Sequence, residues 1–138
     1  MKTWLIDTGP LVALLVRDDS RHEWTVETSK QAPATVTTCD AVISEALFLL
    51  KRGGHDTDGL FDLVDVGFLR SAFDFHAEYG RVRDLMRRYR DRPMGFAEAC
   101  LVRMAETLPD AVIWTLDADF RFYRRNRRQT LSLVSPDD

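Results

Sequence analysis

Apolar positions follow two rhythms along this chain, short β-favouring runs and longer stretches at helical spacing, and their alternation predicts strands interleaved with helices. Lys2-Thr-Trp-Leu-Ile6 reads as a strand ending at Asp7. Gly9-Pro10 then opens an apolar helix from Leu11 to Val16, with proline near the first turn, where a missing N–H leaves no helical bond unmade. Ser20 to Gln31 reads as a polar helix, with Ser20 as N-cap and Glu23 completing a capping box. Ala34 to Thr38 is a strand, and Asp40 to Arg52 a helix stopped by Gly53-Gly54. Leu60 to Val66 follows as a short helix, Phe68 to Phe75 as a strand, and Ala77 to Tyr89 as a charged amphipathic helix ending before Pro93. Gly95 to Leu108 is a further helix, Ala111 to Thr115 a buried-type strand, and Thr130 to Val134 a short closing strand.

Strands that alternate with helices imply right-handed crossovers and a mostly parallel sheet covered on both faces, an α/β fold. Ligands in such sheets bind beyond the carboxyl ends of the strands, where strand order reverses. Asp7 and Asp117 each stand just past a predicted strand, so both are expected to face that crevice. The length suits one domain over residues 1–138, with no repeat, linker or low-complexity segment.

Composition narrows the classes. Cys39 and Cys100 sit in apolar segments without C-x-x-C spacing, so they read as buried core thiols. No apolar run approaches the ~18 residues of a membrane span, and Met1 leads into a strand with no leader-like pattern, which predicts a cytoplasmic protein with no membrane partner. The net charge of -3 argues against bulk capture of nucleic acid, yet Arg121 to Gln129 holds five arginines and no acid. This run is either a solvated face or a phosphate-contacting edge of the crevice, with Arg121, Arg124 and Arg125 as contacts and Phe122 and Tyr123 either stacking on bases or packing in the core.

The acids carry the chemistry. An aspartate after a strand is often only a helix cap. The glutamates say more: three and four positions from Glu45 lie Ala41, Val42, Phe48 and Leu49, and from Glu98 lie Met94, Gly95, Leu101 and Val102, none able to pair with a carboxylate. Both glutamates are therefore expected on or beside the stripe that packs on the sheet, compensated either by an arginine from elsewhere or by a shared cation. Four carboxylates converging on one crevice, Asp7, Glu45, Glu98 and Asp117, form an all-oxygen set suited to Mg²⁺ or Mn²⁺. His22, His55 and His76 are scattered without ligand spacing, which disfavours zinc.

These motifs resemble one known family. Asp7-Thr8-Gly9-Pro10-Leu11-Val12-Ala13-Leu14-Leu15 resembles the opening of PIN domains, Glu45 on the third helix their second acid, Ala97-Glu98-Ala99 the place of the third, and Thr115-Leu116-Asp117-Ala118-Asp119-Phe120 the last acidic motif. The order, spacing and length are similar to those of VapC-type toxins of bacterial toxin–antitoxin pairs. The resemblance implies a three-layer α/β/α sandwich on a five-stranded parallel sheet, a Mg²⁺- or Mn²⁺-dependent endoribonuclease, a homodimer and a cognate antitoxin. It places Asp7, Glu45 and Asp117 where metal-binding acids are expected, with Asp119 assisting. The chain departs from the pattern at Glu98, where aspartate is usual, and at Gly95, where many relatives carry a further aspartate.

The expected chemistry is metal-assisted hydrolysis of RNA phosphodiesters, catalysed by Asp7, Glu45, Glu98 and Asp117. Thr8 and Thr115 stand where a hydroxyl orients water or phosphate, or else caps a turn. A phosphoacceptor signalling domain would need a lysine at a strand end, and Lys2, Lys30 and Lys51 are not so placed. An Asp-x-Asp phosphatase is disfavoured by Gly9, and a PIN-like RNA-binding or regulatory module weakened at Gly95 and Glu98 is the remaining rival.

Overall fold

β1 (Thr3–Ile6) occupies the middle of a five-stranded parallel sheet, and its Leu5 and Ile6 have no exposure at all. The structure, a computed structural model, describes residues 2–92 and 94–136. α1 (Thr8–Leu15) follows β1 at once, capped by Asp7, and begins three residues before the predicted start. Pro10 costs that helix nothing, because the first N–H groups have no partner inside a helix. α2 (His22–Ser29) is shorter than the predicted polar helix and lacks the Ser20–Glu23 capping box: Arg21 is its N-cap, with no side-chain bond. The preceding turn is closed instead by Asp19, whose carboxylate accepts from the Arg21 N–H at 2.8 Å and whose carbonyl accepts from that of His22.

β2 (Val36–Thr38) leads into α3 (Asp40–Arg52), whose bounds match the sequence pattern, and α4 (Asp58–Asp65) then leads into β3 (Leu69–Ser71). The predicted strand over Phe68–Phe75 is cut to three residues because Asp74 accepts a hydrogen bond from Ala77 N and starts α5 (Phe75–Arg88). That helix ends before Pro93, which lies outside the described residues. α6 (Phe96–Thr107) and β4 (Ala111–Trp114) follow. A 3₁₀ turn over Ala118–Arg121, a hairpin of β5 (Arg124–Arg125) and β6 (Gln129–Thr130), and β7 (Leu133–Val134) close the chain.

The strand order β3-β2-β1-β4-β7 makes the boundary between β1 and β4 the place where the winding reverses. Their parallel register runs from Thr3 opposite Ala111 to Ile6 opposite Trp114, and Asp7 N extends the ladder by donating to the Trp114 carbonyl at 2.9 Å. Every residue of β4 is buried, so the helices cover both faces there. Cys39 and Cys100 are free buried thiols of this core, as their apolar settings predict.

Beyond Arg121, which closes the 3₁₀ turn, the arginine run forms a hairpin and not an edge of the crevice. A parallel β7 must start at the amino end of the sheet, so the chain leaving β4 has to return along the whole sheet before it. The hairpin lies at that far end, where Arg125 Nη1 reaches the carbonyl of Pro109 just before β4, and Asn126 N reaches Glu106 near the end of α6. Arg124 turns its guanidinium onto the carbonyls of Arg121 and Tyr123. Arg124 and Arg125 are therefore placed on this hairpin rather than at the crevice edge expected for them.

Candidate active site

The chain ends β1 and β4 side by side, and the two residues that follow them meet across the switch point. Asp7 is only 7% exposed; its Oδ1 accepts from Thr8 N at 2.8 Å and its Oδ2 from the Thr115 hydroxyl at 2.7 Å. The same Thr115 oxygen accepts from Asp117 N at 2.9 Å. Thr115, expected as a substrate contact, is thus a buried clasp that fixes Asp7 relative to Asp117. Asp117 in turn caps the 3₁₀ turn by accepting from Asp119 N at 2.9 Å, which sets both aspartates on one side of the crevice. On the neighbouring strand, Thr38 ties its hydroxyl to the Ile6 carbonyl at 2.8 Å, holding the start of α3 beside Asp7.

Glu45 and Glu98 come from α3 and α6, which pack together. Glu45 stands beside the buried stripe of Val42, Ala46 and Leu50, within the expected on-or-beside placement, but it is exposed, so the burial cost expected for its charge does not arise. Its charge stays hydrated, so it needs no compensation of its own. Glu98 is half-buried in the first turn of α6, and the charges of Glu45, Asp117 and Asp119 all bear on it.

The electrostatics join these residues into one unit. Burial, opposed by the bonds from Thr115 and Thr8 and reinforced by the charges of Glu98 and Asp117, pushes Asp7 up to about 7. Burial raises Glu98 as well, with its own backbone N–H opposing and the Glu45, Asp117 and Asp119 charges adding. Among the described residues, none of the five acids is paired with an arginine or lysine; the partly buried Arg103 is held by Glu78 at 2.7 Å and Glu106 at 3.3 Å. Among the same residues, no three acid, histidine or cysteine side chains are drawn close enough to hold a metal as they stand. Like charges without a counterion keep apart, and an all-carboxylate donor set suits a hard divalent cation. Thr8 Oγ1, buried in the residue next to Asp7, has no hydrogen-bond partner, so a further polar atom is left without a protein group to satisfy it. The residues present fit such an ion.

Arg121 stays near the acids, lining a small recess with Asp117, Ser135 and Pro136. Of the two roles expected for Tyr123, stacking on bases or packing in the core, the structure gives the second: it is fully buried against Phe120 and Tyr89, its hydroxyl has no partner, and burial together with the Asp119, Glu98 and Asp117 charges pushes it up to about 12. Its closeness to the acids was not read from the sequence. Phe122 is exposed, with the Arg92 guanidinium 3.7 Å over its ring.

Known proteins share this architecture. The VapC20 toxin of Mycobacterium tuberculosis, described as cleaving the sarcin-ricin loop, superposes with a TM-score of 0.73 over 85% of this chain and 92% of its own, at 20% identity. VapBC2 from Rickettsia felis, bound to a DNA fragment from its promoter, gives 0.61 over 99% and 100% at 14% identity. No curated protein sequence matches the chain. The PIN domain family profile matches residues 4–126, nearly the whole length, in agreement with the order of acids along the chain and the parallel sheet beneath them. The chain belongs to the PIN domain family.

Proposed function

We propose that this protein is a divalent-metal-dependent endoribonuclease acting as the toxin of a toxin–antitoxin pair. The observation that carries the reading is the buried Asp7 carboxylate, pushed up to about 7 and left without a basic partner at the point where the sheet reverses its winding. Membership of the PIN family and the fold shared with VapC20 and VapBC2 support it.

Asp7, Glu45, Glu98 and Asp117 would hold the ion, with Asp119 beside them. Bound there, Mg²⁺ or Mn²⁺ supplies Lewis acidity to the phosphodiester and neutralises charge on the departing oxygen. The protein's part is placement. Thr115 locks the Asp7 rotamer through Oδ2 and Thr8 N fixes Oδ1, so the carboxylate enters the reaction already oriented. The Thr8 hydroxyl, buried in the residue next to Asp7 and without a protein partner, leaves a polar atom that a bound water would satisfy. Arg121, exposed beside Asp117, offsets the repulsion between the acids and a polyanionic strand.

An exposed apolar face of Phe75, Tyr79 and Met86 on α5 with Phe96 on α6 supports a protein partner, and Phe48 on α3 and Phe61 and Val64 on α4 are further exposed apolar side chains; the partners expected of such a toxin are a second copy and an antitoxin. No described helix is long and apolar enough to cross a membrane.

The test is cleavage of a structured RNA by metal-stripped protein with Mn²⁺ or Mg²⁺ restored. Cleavage should return with the ion and fall by about a hundredfold or more in Asp7→Asn, which deletes a charge and almost no volume. Equal cleavage by parent and variant removes Asp7 from the mechanism.

A further inference from the structure

Gly95 is the N-cap of α6, with φ −71° and ψ 167°, an ordinary extended conformation open to any residue. Nothing in the backbone calls for glycine there. The space does: a Cβ built on Gly95 would stand 2.6 Å from Glu98 Oε2, 3.2 Å from its Cδ and 3.3 Å from its Oε1. The Glu98 side chain is curled back over the start of its own helix and lies in the volume that a side chain at 95 would occupy. Contacts of 2.6 Å between a methyl carbon and an oxygen are not tolerated, so one of the two groups must move. The atom in the way is the free end of a flexible side chain, so what moves is the carboxylate rather than the helix.

We infer that Gly95 is a positioning residue for the acid site: by having no side chain, it leaves the pocket into which Glu98 folds and from which its carboxylate joins Asp7, Glu45 and Asp117. This rests on the reading of those acids as a metal site. In its folded-back position the carboxylate faces Glu45 from α3 and Asp117 and Asp119 from the turn after β4, and no described basic residue is paired with it. Attraction to a cation in the protein's own fold therefore does not explain the curl. The start of a helix favours a negative group, and the Glu98 backbone N–H draws the carboxylate back. The gap at 95 admits it.

Gly95→Ala and Gly95→Ser both fill that gap. Serine is also the better N-cap, and its hydroxyl competes for the same first-turn N–H groups. The inference therefore separates two quantities that a purely structural glycine would keep together. Gly95→Ser should leave the melting temperature of the metal-free protein equal or higher, while weakening Mn²⁺ binding about tenfold, the usual scale for displacing a group that orients a ligand. Gly95→Ala should weaken Mn²⁺ binding to a similar degree.

The experiment is calorimetric titration of Mn²⁺ into the purified full chain, for parent, Gly95→Ser, Gly95→Ala, Glu98→Ala, Gly95→Ala/Glu98→Ala and Asp7→Asn, with a thermal melt of each. If Gly95 acts through Glu98, the double variant binds Mn²⁺ like Glu98→Ala alone, because the carboxylate to be displaced is already gone. Parent-like affinity in both Gly95 variants overturns the inference, as does a Gly95→Ala effect of undiminished size in the Glu98→Ala background. If Asp7→Asn loses binding while Glu98→Ala does not, the metal site stands and the role given to Gly95 and Glu98 falls. If neither loses binding, the reading of the site falls, and this inference with it.

Discussion

Two groups of acids in this protein meet their charge in opposite ways. Glu78 and Glu106, on α5 and α6, close on Arg103, which bridges them at 2.7 and 3.3 Å in a partly buried, self-contained ion pair network. At the switch point of the sheet, Asp7 is more deeply buried than either and its carboxylate accepts only from a hydroxyl and a backbone N–H. The residue types are the same, and sixteen arginines, nineteen bases less Lys2, Lys30 and Lys51, are available to the chain. Among the described residues none is paired with the crevice acids, while one is bound at the helix pair, a contrast that supports the proposal that the second group is balanced by a charge from outside.

The contrast breaks most visibly with pH. Asp7 has an unfolded-state value near 3.9 and a folded one of about 7, so the folded protein prefers the protonated acid. The stability it contributes is complete below about pH 4 and is lost as pH rises to about 7, and the raised Glu98 acts in the same direction. A rise of this size corresponds to a few kcal/mol. Urea unfolding of the metal-free protein should therefore show stability falling from pH 4 to 7, and Asp7→Asn should flatten that slope; identical pH profiles would refute the burial argument.

The paired acids should respond only to loss of their partner. Arg103→Leu strands Glu78 and Glu106 and should cost roughly 1–3 kcal/mol in urea unfolding, with Mn²⁺ affinity unchanged. A loss of Mn²⁺ binding in this variant would show that the two groups are one network.

The smallest effect separates the arginines. Arg121→Gln should weaken RNA binding a few-fold and lower its salt slope by about 0.7, one phosphate contact on a single strand. Arg125→Gln, bound to the Pro109 carbonyl at the far end of the sheet, should leave both unchanged. The reverse result would place the RNA path along the hairpin.

What the sequence revealed follows from how local each signal is. α3 is bounded where predicted, because an acid at its start, an apolar period and Gly53-Gly54 at its end are all properties of one segment. The acids were legible because two of them follow strands and two lack helical partners. The exposure of Glu45 was not, because helical neighbours say what shares its face and not how far α6 covers it. The path of the arginine run was hidden for a similar reason: it is imposed by β7, whose parallel pairing with β4 forces the chain to the opposite end of the sheet. The tie between Gly95 and Glu98, the two positions that depart from the PIN pattern, needed the side chain's fold-back to be seen.

The central claim is that the crevice acids are balanced by a divalent cation, and the most direct test is the heat and proton release on adding Mn²⁺ to the metal-free protein near pH 6.5. With Asp7 at about 7, much of it is protonated there, so binding should release a proton from the parent and neither bind strongly nor release one in Asp7→Asn. Mn²⁺ binding of equal strength in both proteins, or none in the parent at millimolar ion, would contradict the account.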